Sequence, residues 1–593
     1  MKQICGELLR AWCEKLLKLQ VREIEDPALR GGILCPACGF IHGRCFDAIY
    51  PFLYLADADQ DERFLEGAKL LFAWAEHAVS REDGSYVNDG NSQWKGTTVF
   101  SVIQLIEALT LHGHLLDQEL YESWRQRIRK AADFLYGFSE FEICNVNYRI
   151  ANSLAMELCA EFFGEEKYRI RGEELADLTV RQLTADGLLF GEGRPTDGMS
   201  PRGCRSVDIG YNMEESLPVL LQYAIKIGNV KLQDKARLAL KYHLRFMLDD
   251  GGMDNSFGTR NYKWTYWGSR TSDGCTLGCL LAADKEPDLG IAAYRNLQLL
   301  KACTYEGILY GGPHIRQIGE KPCIHHTFSH AKVLAGVLDQ GLQDRLCEGQ
   351  LPRSRMQHTE YVKELDTCFV SAGDYTATVT AYDWEYTKLP GGHAGGGTLS
   401  LLWHKKAGPV LCAGMSCYSL KEPNNMQLPR YDHHQCITPR LEYTDGTNEY
   451  SNLFDDTCRM CWNEAKYGTV VEIFGCLTSF RKKQMEQGTY QIRYTFEAQR
   501  VHMAAKVCAD VSGSTRWILP VVSCHEEAVI QEHNRMIIRK AGCQIIFTTE
   551  RGVMKLPCGE KRIYNLVPGV EALRVDVEPE MGEVAFCLSF CYD

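Results

Sequence analysis

The sequence predicts a two-part protein, an N-terminal (α/α) toroid of paired helices followed by a C-terminal antiparallel β-sandwich. Before residue 350, apolar residues recur at the helical spacing i, i+3, i+4, i+7; after about residue 355 they alternate in short runs typical of strands. The loops between helical blocks alternate between short and long, which favours helical hairpins whose long loops face one cavity. We expect the toroid to comprise residues 1–352 and the sandwich residues 353–593.

The helical pattern is clearest in FLEGAKLLFAWAEHAV, where one face of the helix is apolar. About twelve such blocks precede residue 350: 3–20, 45–57, 61–79, 97–112, 118–137, 147–163, 167–184, 214–227, 230–248, 273–283, 287–302 and 326–339. The later strand-like runs are 375–382, 398–404, 469–477, 490–498, 516–522, 535–541 and 583–590. Because turn signals such as Pro-Gly-Gly and Asp-Gly separate these runs, they indicate antiparallel strands in two packed sheets.

The composition is that of an ordinary globular protein. The chain has 593 residues, 65 basic against 77 acidic, and a net charge of −12. It has no run of about 18 apolar residues and no Lys/Arg cluster, so we expect neither a membrane span nor nucleic-acid binding. The first 20 residues read as an amphipathic helix and not as a signal peptide.

Since the 26 cysteines follow no regular framework, we expect free thiols and a cytoplasmic location. The oligomeric state stays open.

The densest group of functional side chains lies in the loop 257–274, FGTRNYKWTYWGSRTSDG. Trp and Tyr faces stack on sugar rings, and Arg binds carboxylates with two parallel hydrogen bonds. The loop is therefore a candidate sugar site, with Arg260, Tyr262, Trp264, Trp267 and Arg270 as its side chains. The alternative is a loop held over the helices by buried aromatic residues.

A second group, CPACGFIHGRC, places four possible zinc ligands within eleven residues: Cys35, Cys38, His42 and Cys45. A structural zinc is one interpretation, and loop packing with reduced thiols is the favoured one. In the second case His42 and Arg44 stand at the start of the next helix as possible substrate contacts.

Two helix starts carry further candidates. Asn147 and Tyr148 open the helix after residue 145, where free N–H groups can hold an anion, although an Asn there can also be an ordinary N-cap. Tyr211 precedes a helix whose first turn contains Glu214, a position where acidic residues commonly balance the helix dipole.

Two histidine groups complete the set. His326 and His330 stand one helical turn apart, which suits a metal but is more often hydrogen bonding at a helix start. His393 lies in the turn LPGGHAGGG before a strand, where glycines allow the backbone to approach a ligand, or form a plain hairpin loop.

Taken together, the helical half, the Asn-aromatic pair, the Tyr before a Glu-containing helix and the Gly-Gly-His turn resemble the heparinase II/III-like polysaccharide lyases. The resemblance implies an active site between toroid and sandwich and cleavage of uronic-acid glycans by β-elimination. It implies that Asn147 binds the substrate carboxylate, that Tyr211 is a catalytic acid and often also the base, and that His393 is a base or charge neutraliser; which of the two takes the proton stays open. Gly395 and Gly397 stand where many members have metal ligands, so we expect no required cofactor.

This chemistry suits the residue types. Elimination removes the C5 proton beside a carboxylate, whose developing charge must be stabilised. Asn147 with Arg270 or Arg260 supplies that stabilisation, while Tyr211 and His393 transfer protons. The expected partner is a uronic-acid oligo- or polysaccharide.

Two other classes of function stay open at this point. One is an α/α-barrel glycoside hydrolase that uses carboxylates such as Asp89, Glu214 or Asp273 on uronic-acid oligosaccharides. The other is a glycan-binding protein without catalytic activity.

Overall fold

The fold is taken from a computed structural model that describes residues 1–88, 93–193, 197–385, 393–415, 436–509, 513–557, 559 and 561–592. Its first half is helical. The α-helices are α1 Gln3–Leu19, α2 Ile49–Asp59, α3 Glu62–Ala78, α4 Thr98–His112, α5 Gln118–Gly137, α6 Val146–Phe163, α7 Glu166–Val180, α8 Ile209–Tyr211, α9 Leu217–Lys226, α10 Val230–His243, α11 Thr276–Ala282, α12 Pro287–Ala302, α13 Ile324–Asp339 and α14 Pro352–Arg355. They follow the predicted blocks closely.

The helices form a closed ring of pairs. Helices α2, α4, α6, α9, α11 and α13 each pack on the next, and α13 packs back on α2. An outer helix covers each of them: α3, α5, α7, α10, α12 and α1, respectively. The inner helices are buried on nearly all sides, as α6 shows with fourteen buried residues, because they lie between the outer helices and the ring axis. The loops at one end of the ring carry the candidate residues.

Helix starts are set by local capping. The side chains of Asp61, Asp117 and Asn229 accept hydrogen bonds from the first-turn N–H groups of α3, α5 and α10. Capping satisfies N–H groups that have no partner inside the helix. The blocks predicted from apolar periodicity begin at 61, 118 and 230, within one residue of these helix starts.

The second half is antiparallel. Its strands are β5 Thr359–Val362, β6 Thr367–Ala372, β7 Tyr375–Thr380, β8 Thr398–His404, β9 Gly408–Cys412, β10 Arg440–Thr444, β11 Glu449–Ser451, β12 Arg459–Ala465, β13 Gly468–Thr478, β14 Gln484–Glu497, β15 Arg500–Cys508, β16 Ser514–Val522, β17 Val529–Glu532, β18 Arg535–Lys540, β19 Cys543–Arg551, β20 Val553–Lys555, β21 Arg562–Asn565, β22 Val570–Glu578 and β23 Glu583–Cys591. Strands β1 to β4 are two short hairpins in loops of the helical half, Trp264–Thr265 with Gly268–Ser269 and Thr304–Tyr305 with Ile308–Leu309.

Two strand series make up this half. One runs β12-β13-β14-β15-β23-β19-β18-β17. The other runs β5-β6-β7-β8-β9 and reaches β16, which pairs with both β10 and β22. The two series share one apolar core that includes Leu402, Ile473, Trp517 and Phe586. The predicted fold class, a helical region followed by a large antiparallel β-domain, is confirmed.

The two halves are joined by buried polar contacts. Arg353 Nη1 lies 2.7 Å from Asp254 Oδ2 and Arg353 Nη2 donates to Thr378 Oγ1 at 2.6 Å, which links α14 to β7. Tyr266 N donates to Pro568 O at 2.9 Å. Because these groups are buried, separating the halves would leave charges without partners.

No helix among the described residues combines the length and apolar character that a membrane crossing requires.

Candidate active site

The centre of the site is a helix start with an unusual turn. Helix α8 ends at Tyr211 and continues as a π-helical turn, Asn212–Ser216, before α9 begins. Asp208 caps this segment by accepting from Tyr211 N at 3.1 Å. Single π-helical turns often mark functional sites, because the wider turn redirects side chains.

The same turn holds the loop 257–274 in place. Glu214 Oε2 accepts from Ser269 N at 2.6 Å and from Ser272 Oγ at 2.7 Å. Glu215 Oε2 accepts from Asp273 N at 3.1 Å. Glu214 therefore holds the loop in this structure, and burial raises its pKa well above the ordinary value. Its predicted contact with substrate stays a prediction.

The Tyr211 hydroxyl lies at the meeting point of three groups. It is 2.8 Å from Thr271 Oγ1 and 3.1 Å from Thr271 O, and Lys263 Nζ donates to it at 3.3 Å. Lys263 Nζ also donates to Thr271 Oγ1 at 3.0 Å. The guanidinium carbon of Arg260 lies 4.2 Å from the centre of the Tyr211 ring. A phenol, an amine and a hydroxyl in mutual contact can pass protons among themselves.

Thr271 is held in a strained conformation. Its φ is +65°, in the left-handed region that a β-branched residue rarely adopts. Arg44 Nη1 donates to Thr271 O at 3.3 Å, and Arg44 Nη2 is paired with Asp47 at 2.6 Å and Asp273 at 3.1 Å. Arg44 therefore supports Thr271 from behind. Backbone strain of this kind persists where the surroundings impose it, commonly at functional sites.

Burial and charge set the ionisation of the site. Burial and the nearby Arg260 together lower the pKa of Lys263 to about 7, against the opposing effect of Asp208. Arg260 itself lies 3.0 Å from Glu192 Oε2 and 3.1 Å from Asp208 Oδ2. Burial raises the pKa of Tyr211 well above its ordinary value, Glu215 raises it further, and Arg260 opposes both. Near neutral pH the site therefore contains a protonated phenol and an amine close to its midpoint.

Asn147 and Tyr148 lie beside this group, at the start of α6. Asn147 is 2% exposed, and its side-chain oxygen has no hydrogen-bond partner among the described residues. Burial raises the pKa of the nearby Glu192 to about 7, against the opposing effect of Arg260. The Tyr148 ring packs 5.3 Å from Trp94, and burial raises the Tyr148 pKa to about 12. An unpaired buried amide at a helix start is suited to an arriving ligand.

Several aromatic side chains of the loop 257–274 pack inward. Trp264 Nε1 donates to Met253 O and Trp267 Nε1 donates to Tyr310 O, each at 2.8 Å, and neither ring is exposed. Tyr262 lies with Trp264 in an apolar cluster that includes Trp403. The faces of these three rings are covered by protein in this structure, and the sugar-stacking roles expected for them stay predictions.

Arg270 and His326 are also buried. Arg270 donates to the carbonyl of Leu566 in the β-domain and has no exposed surface. The His326 ring lies 5.5 Å from the Trp267 ring, edge to face. Arg270 thus contributes to the joint between the halves, and its expected role as a carboxylate ligand, like substrate binding by His326, stays a prediction.

His393 lies on the β-domain side. Its ring is 5.4 Å from the Tyr382 ring, and burial lowers its pKa below the ordinary value. The Tyr382 hydroxyl donates to Arg205 O at 2.8 Å and accepts from Val207 N at 3.3 Å, in the segment that leads to Tyr211. Residues 386–392, which precede His393, lie outside the described part of the chain. The pairing of His393 with Tyr211 stays a prediction.

The cysteine cluster differs from the predicted one. Cys35, Cys38 and His42 are joined by Cys323, not by Cys45, and their ligand atoms all lie within 4.8 Å of one another. The Cys45 side chain is instead buried in the apolar core of the helical ring. His42 Nε2 lies 3.4 Å from Cys323 Sγ, so His42 belongs to this cluster and is not free to contact substrate.

Sequence reasoning did not assign Lys263, Thr271 or Glu192 to the chemistry. Lys263 lies three residues after Arg260, in a loop that was already a candidate site. This position was the feature of the sequence that could have identified Lys263 as a site residue. Its lowered pKa depends on burial, which the sequence does not show. Glu192 lies in a separate loop, and only its contact with Arg260 connects it to the site.

Comparisons with known proteins agree with this architecture. The model of the ulvan lyase N-terminal domain matches residues 9–355, and that of the ulvan lyase C-terminal domain matches residues 359–591. A relative, a broad-specificity ulvan lyase of Formosa agariphila, is 36% identical over 600 residues, covering 99% of this chain and 94% of the relative.

Solved structures share the fold at low identity. A chondroitin AC lyase of Streptomyces coelicolor A3, in complex with chondroitin sulphate, superposes with a TM-score of 0.53 at 11% identity, over 99% of this chain and 79% of the other. A mutant heparan sulfate lyase of Pedobacter heparinus gives 0.51 at 10% identity, over 99% and 83%.

The predicted resemblance to heparinase-like lyases and the predicted class of enzyme are both confirmed. With both domain models matched along nearly its whole length, the chain belongs to the ulvan lyase family and is a polysaccharide lyase.

Proposed function

We propose that this chain cleaves ulvan at its uronic-acid units by β-elimination, and that Tyr211 and Lys263 move the protons. The contact of Lys263 Nζ with the Tyr211 hydroxyl, at 3.3 Å beside Thr271, carries this proposal. The family membership supports the elimination reaction, and the name of the relative supplies the polysaccharide.

The substrate carboxylate must be neutralised before C5 becomes acidic enough to lose its proton. Asn147 supports this step, because its buried side-chain amide lies in the first turn of α6 and carries two N–H donors that suit a carboxylate. Arg260 adds positive charge over the Tyr211 ring. Removing either donor would leave the developing enolate charge without stabilisation.

The proton transfers form a closed cycle. The neutral amine of Lys263 takes the C5 proton, and the electron pair of the C–H bond forms the C4=C5 double bond as the C4–O4 bond breaks. The departing O4 takes the proton of the Tyr211 hydroxyl. The Lys263 ammonium then returns a proton to the Tyr211 phenolate across their hydrogen bond, which restores both groups.

The described carboxylates do not favour the hydrolase alternative. Glu214 is bound by Ser269 and Ser272, and Asp273 is paired with Arg44 and Lys332. A hydrolase needs two carboxyl groups free to act on the glycosidic bond and water. Asp89, the third carboxylate considered, lies outside the described residues.

The reaction type and the substrate are tested together by absorbance. Elimination creates a C4–C5 enoate that absorbs in the ultraviolet, while hydrolysis of the same polymer does not. We expect the absorbance to rise with ulvan and to rise more slowly or not at all with heparan sulfate, chondroitin sulphate and alginate. New reducing ends without any gain in absorbance would contradict the elimination, and a faster gain with another glycan would contradict the choice of ulvan.

We also infer a reducing, cytoplasmic location. The cysteines of the described ranges form no disulfide, and many of them are buried in apolar surroundings, where cysteine acts as a small hydrophobic residue.

A further inference from the structure

We propose that Cys35, Cys38, His42 and Cys323 bind one structural zinc ion that fixes the loop of residues 35–42 to the start of α13. The four residues come from two segments more than 280 positions apart in the sequence. Cys35, His42 and Cys323 are buried, and Cys38 is half-buried. Three thiols and an imidazole form one of the common ligand sets of structural zinc.

The distances agree with a tetrahedral site. Zinc–sulfur bonds of about 2.3 Å and zinc–nitrogen bonds of about 2.0 Å give edges of about 3.8 Å between sulfurs and about 3.5 Å between sulfur and nitrogen. Cys323 Sγ lies 3.5 Å from Cys35 Sγ, 4.0 Å from Cys38 Sγ and 3.4 Å from His42 Nε2. One ion at the centre of these atoms can therefore reach all four.

The backbone has the shape that such a site requires. Cys35 N donates to Phe40 O at 3.0 Å and Gly39 N donates to Cys35 O at 2.9 Å, which folds the Cys-x-x-Cys segment into a tight turn. Gly39 has a φ of +70°, which glycine adopts without strain. On the other side, Cys323 is the N-cap of the sixteen-residue helix α13, whose positive end stabilises a thiolate.

The ion would also order the candidate active site. His42 is followed directly by the 3₁₀ turn Gly43–Ala48, which carries Arg44. Arg44 supports the strained carbonyl of Thr271, and Thr271 contacts the Tyr211 hydroxyl. Zinc binding would release the thiol protons and fix His42, where this path begins, so that loss of the ion would loosen the turn that carries Arg44.

The zinc is tested on the whole chain, purified without a metal-affinity tag under reducing conditions. We expect about one zinc per chain by elemental analysis, consistent with a single four-ligand site. In Cys323→Ser we expect the zinc content to fall below about a tenth of that value and the melting temperature to fall, because a structural zinc contributes directly to folding. The matched control is Cys45→Ser, also a buried cysteine next to the loop, which should keep its zinc. Full zinc in Cys323→Ser, or loss of zinc only in Cys45→Ser, would overturn the assignment.

A second measurement uses the wild-type chain and does not depend on the variant folding. After replacement of the metal by Co²⁺, a tetrahedral site with three thiolates gives intense d–d bands and a sulfur-to-cobalt charge-transfer band. Native mass spectrometry separates zinc from a Cys35–Cys323 disulfide, because the metal raises the mass and the disulfide lowers it by two hydrogens. A wild-type chain that takes up neither metal, or that carries the disulfide in place of the metal, would refute the proposal.

Discussion

Tyr211→Phe should abolish elimination, with kcat lowered by about a thousandfold or more, the upper part of the range for a positioned proton donor. The ring and its packing under Arg260 remain, and only the hydroxyl is lost. Lys263 Nζ still donates to Thr271 Oγ1 at 3.0 Å, so both partners of the lost hydroxyl keep a hydrogen bond. Initial rates measured by enoate absorbance on ulvan give the effect directly.

The same variant should still bind ulvan and should keep its fold. We expect the Kd for ulvan to stay within about threefold, less than 1 kcal/mol, and the melting temperature to stay within a few degrees. The control is Tyr223→Phe on α9, another buried tyrosine, whose hydroxyl has no hydrogen-bond partner in the described structure and which lies outside the site. A Tyr211→Phe variant that keeps a tenth of wild-type turnover would show that another group protonates O4.

The fold was predictable because it depends on local pattern. Strand β8 has the bounds that the alternation predicted, 398–404, and α5 begins one residue after its cap, Asp117. The short hairpin Trp264–Ser269 was missed, since its two-residue strands are too short to show an alternation. The π-helical turn after Tyr211 was also missed, because the pattern of apolar residues does not reveal it. Glu214 and Glu215 in this turn contact a loop that is distant in the sequence.

The candidate site was predictable in its parts but not in its arrangement. A Trp in a long loop can face a sugar or the core, and the sequence does not show that the Trp264 indole reaches the carbonyl of Met253. The proposed zinc site shows the same limit. Spacing favoured the nearby Cys45, whereas the fold brings in Cys323, which is distant in the sequence, at the start of α13.

For the wild-type enzyme we expect kcat/KM to rise with pH and to level off above about pH 7. Burial, with Arg260 adding to it, lowers the pKa of Lys263 to about 7, so that the side chain is an ammonium below this pH and an amine above it. Only the amine can take the C5 proton. Because the pKa of Tyr211 is raised well above its ordinary value, the phenol stays protonated and no descending limb should appear near neutrality.

Lys263→Met tests the assignment. It keeps an apolar side chain of similar length and removes the amine, so we expect kcat to fall by at least about a hundredfold, the lower end of the range for a general base. The rising limb near pH 7 should disappear with it. Lys226→Met, which removes an amine paired with Glu161 at the surface, should leave the profile unchanged.

The shape of the profile distinguishes three roles. If Lys263 served as a cation for the substrate carboxylate, kcat/KM would fall as pH rises through 7, since the charge is lost in that direction. If His393 were the base, Lys263→Met would keep a rising limb, displaced below the ordinary histidine value because burial lowers the His393 pKa. Either result would contradict the proposed cycle, whereas a limb near pH 7 that vanishes with Lys263 requires its amine to be the group that titrates.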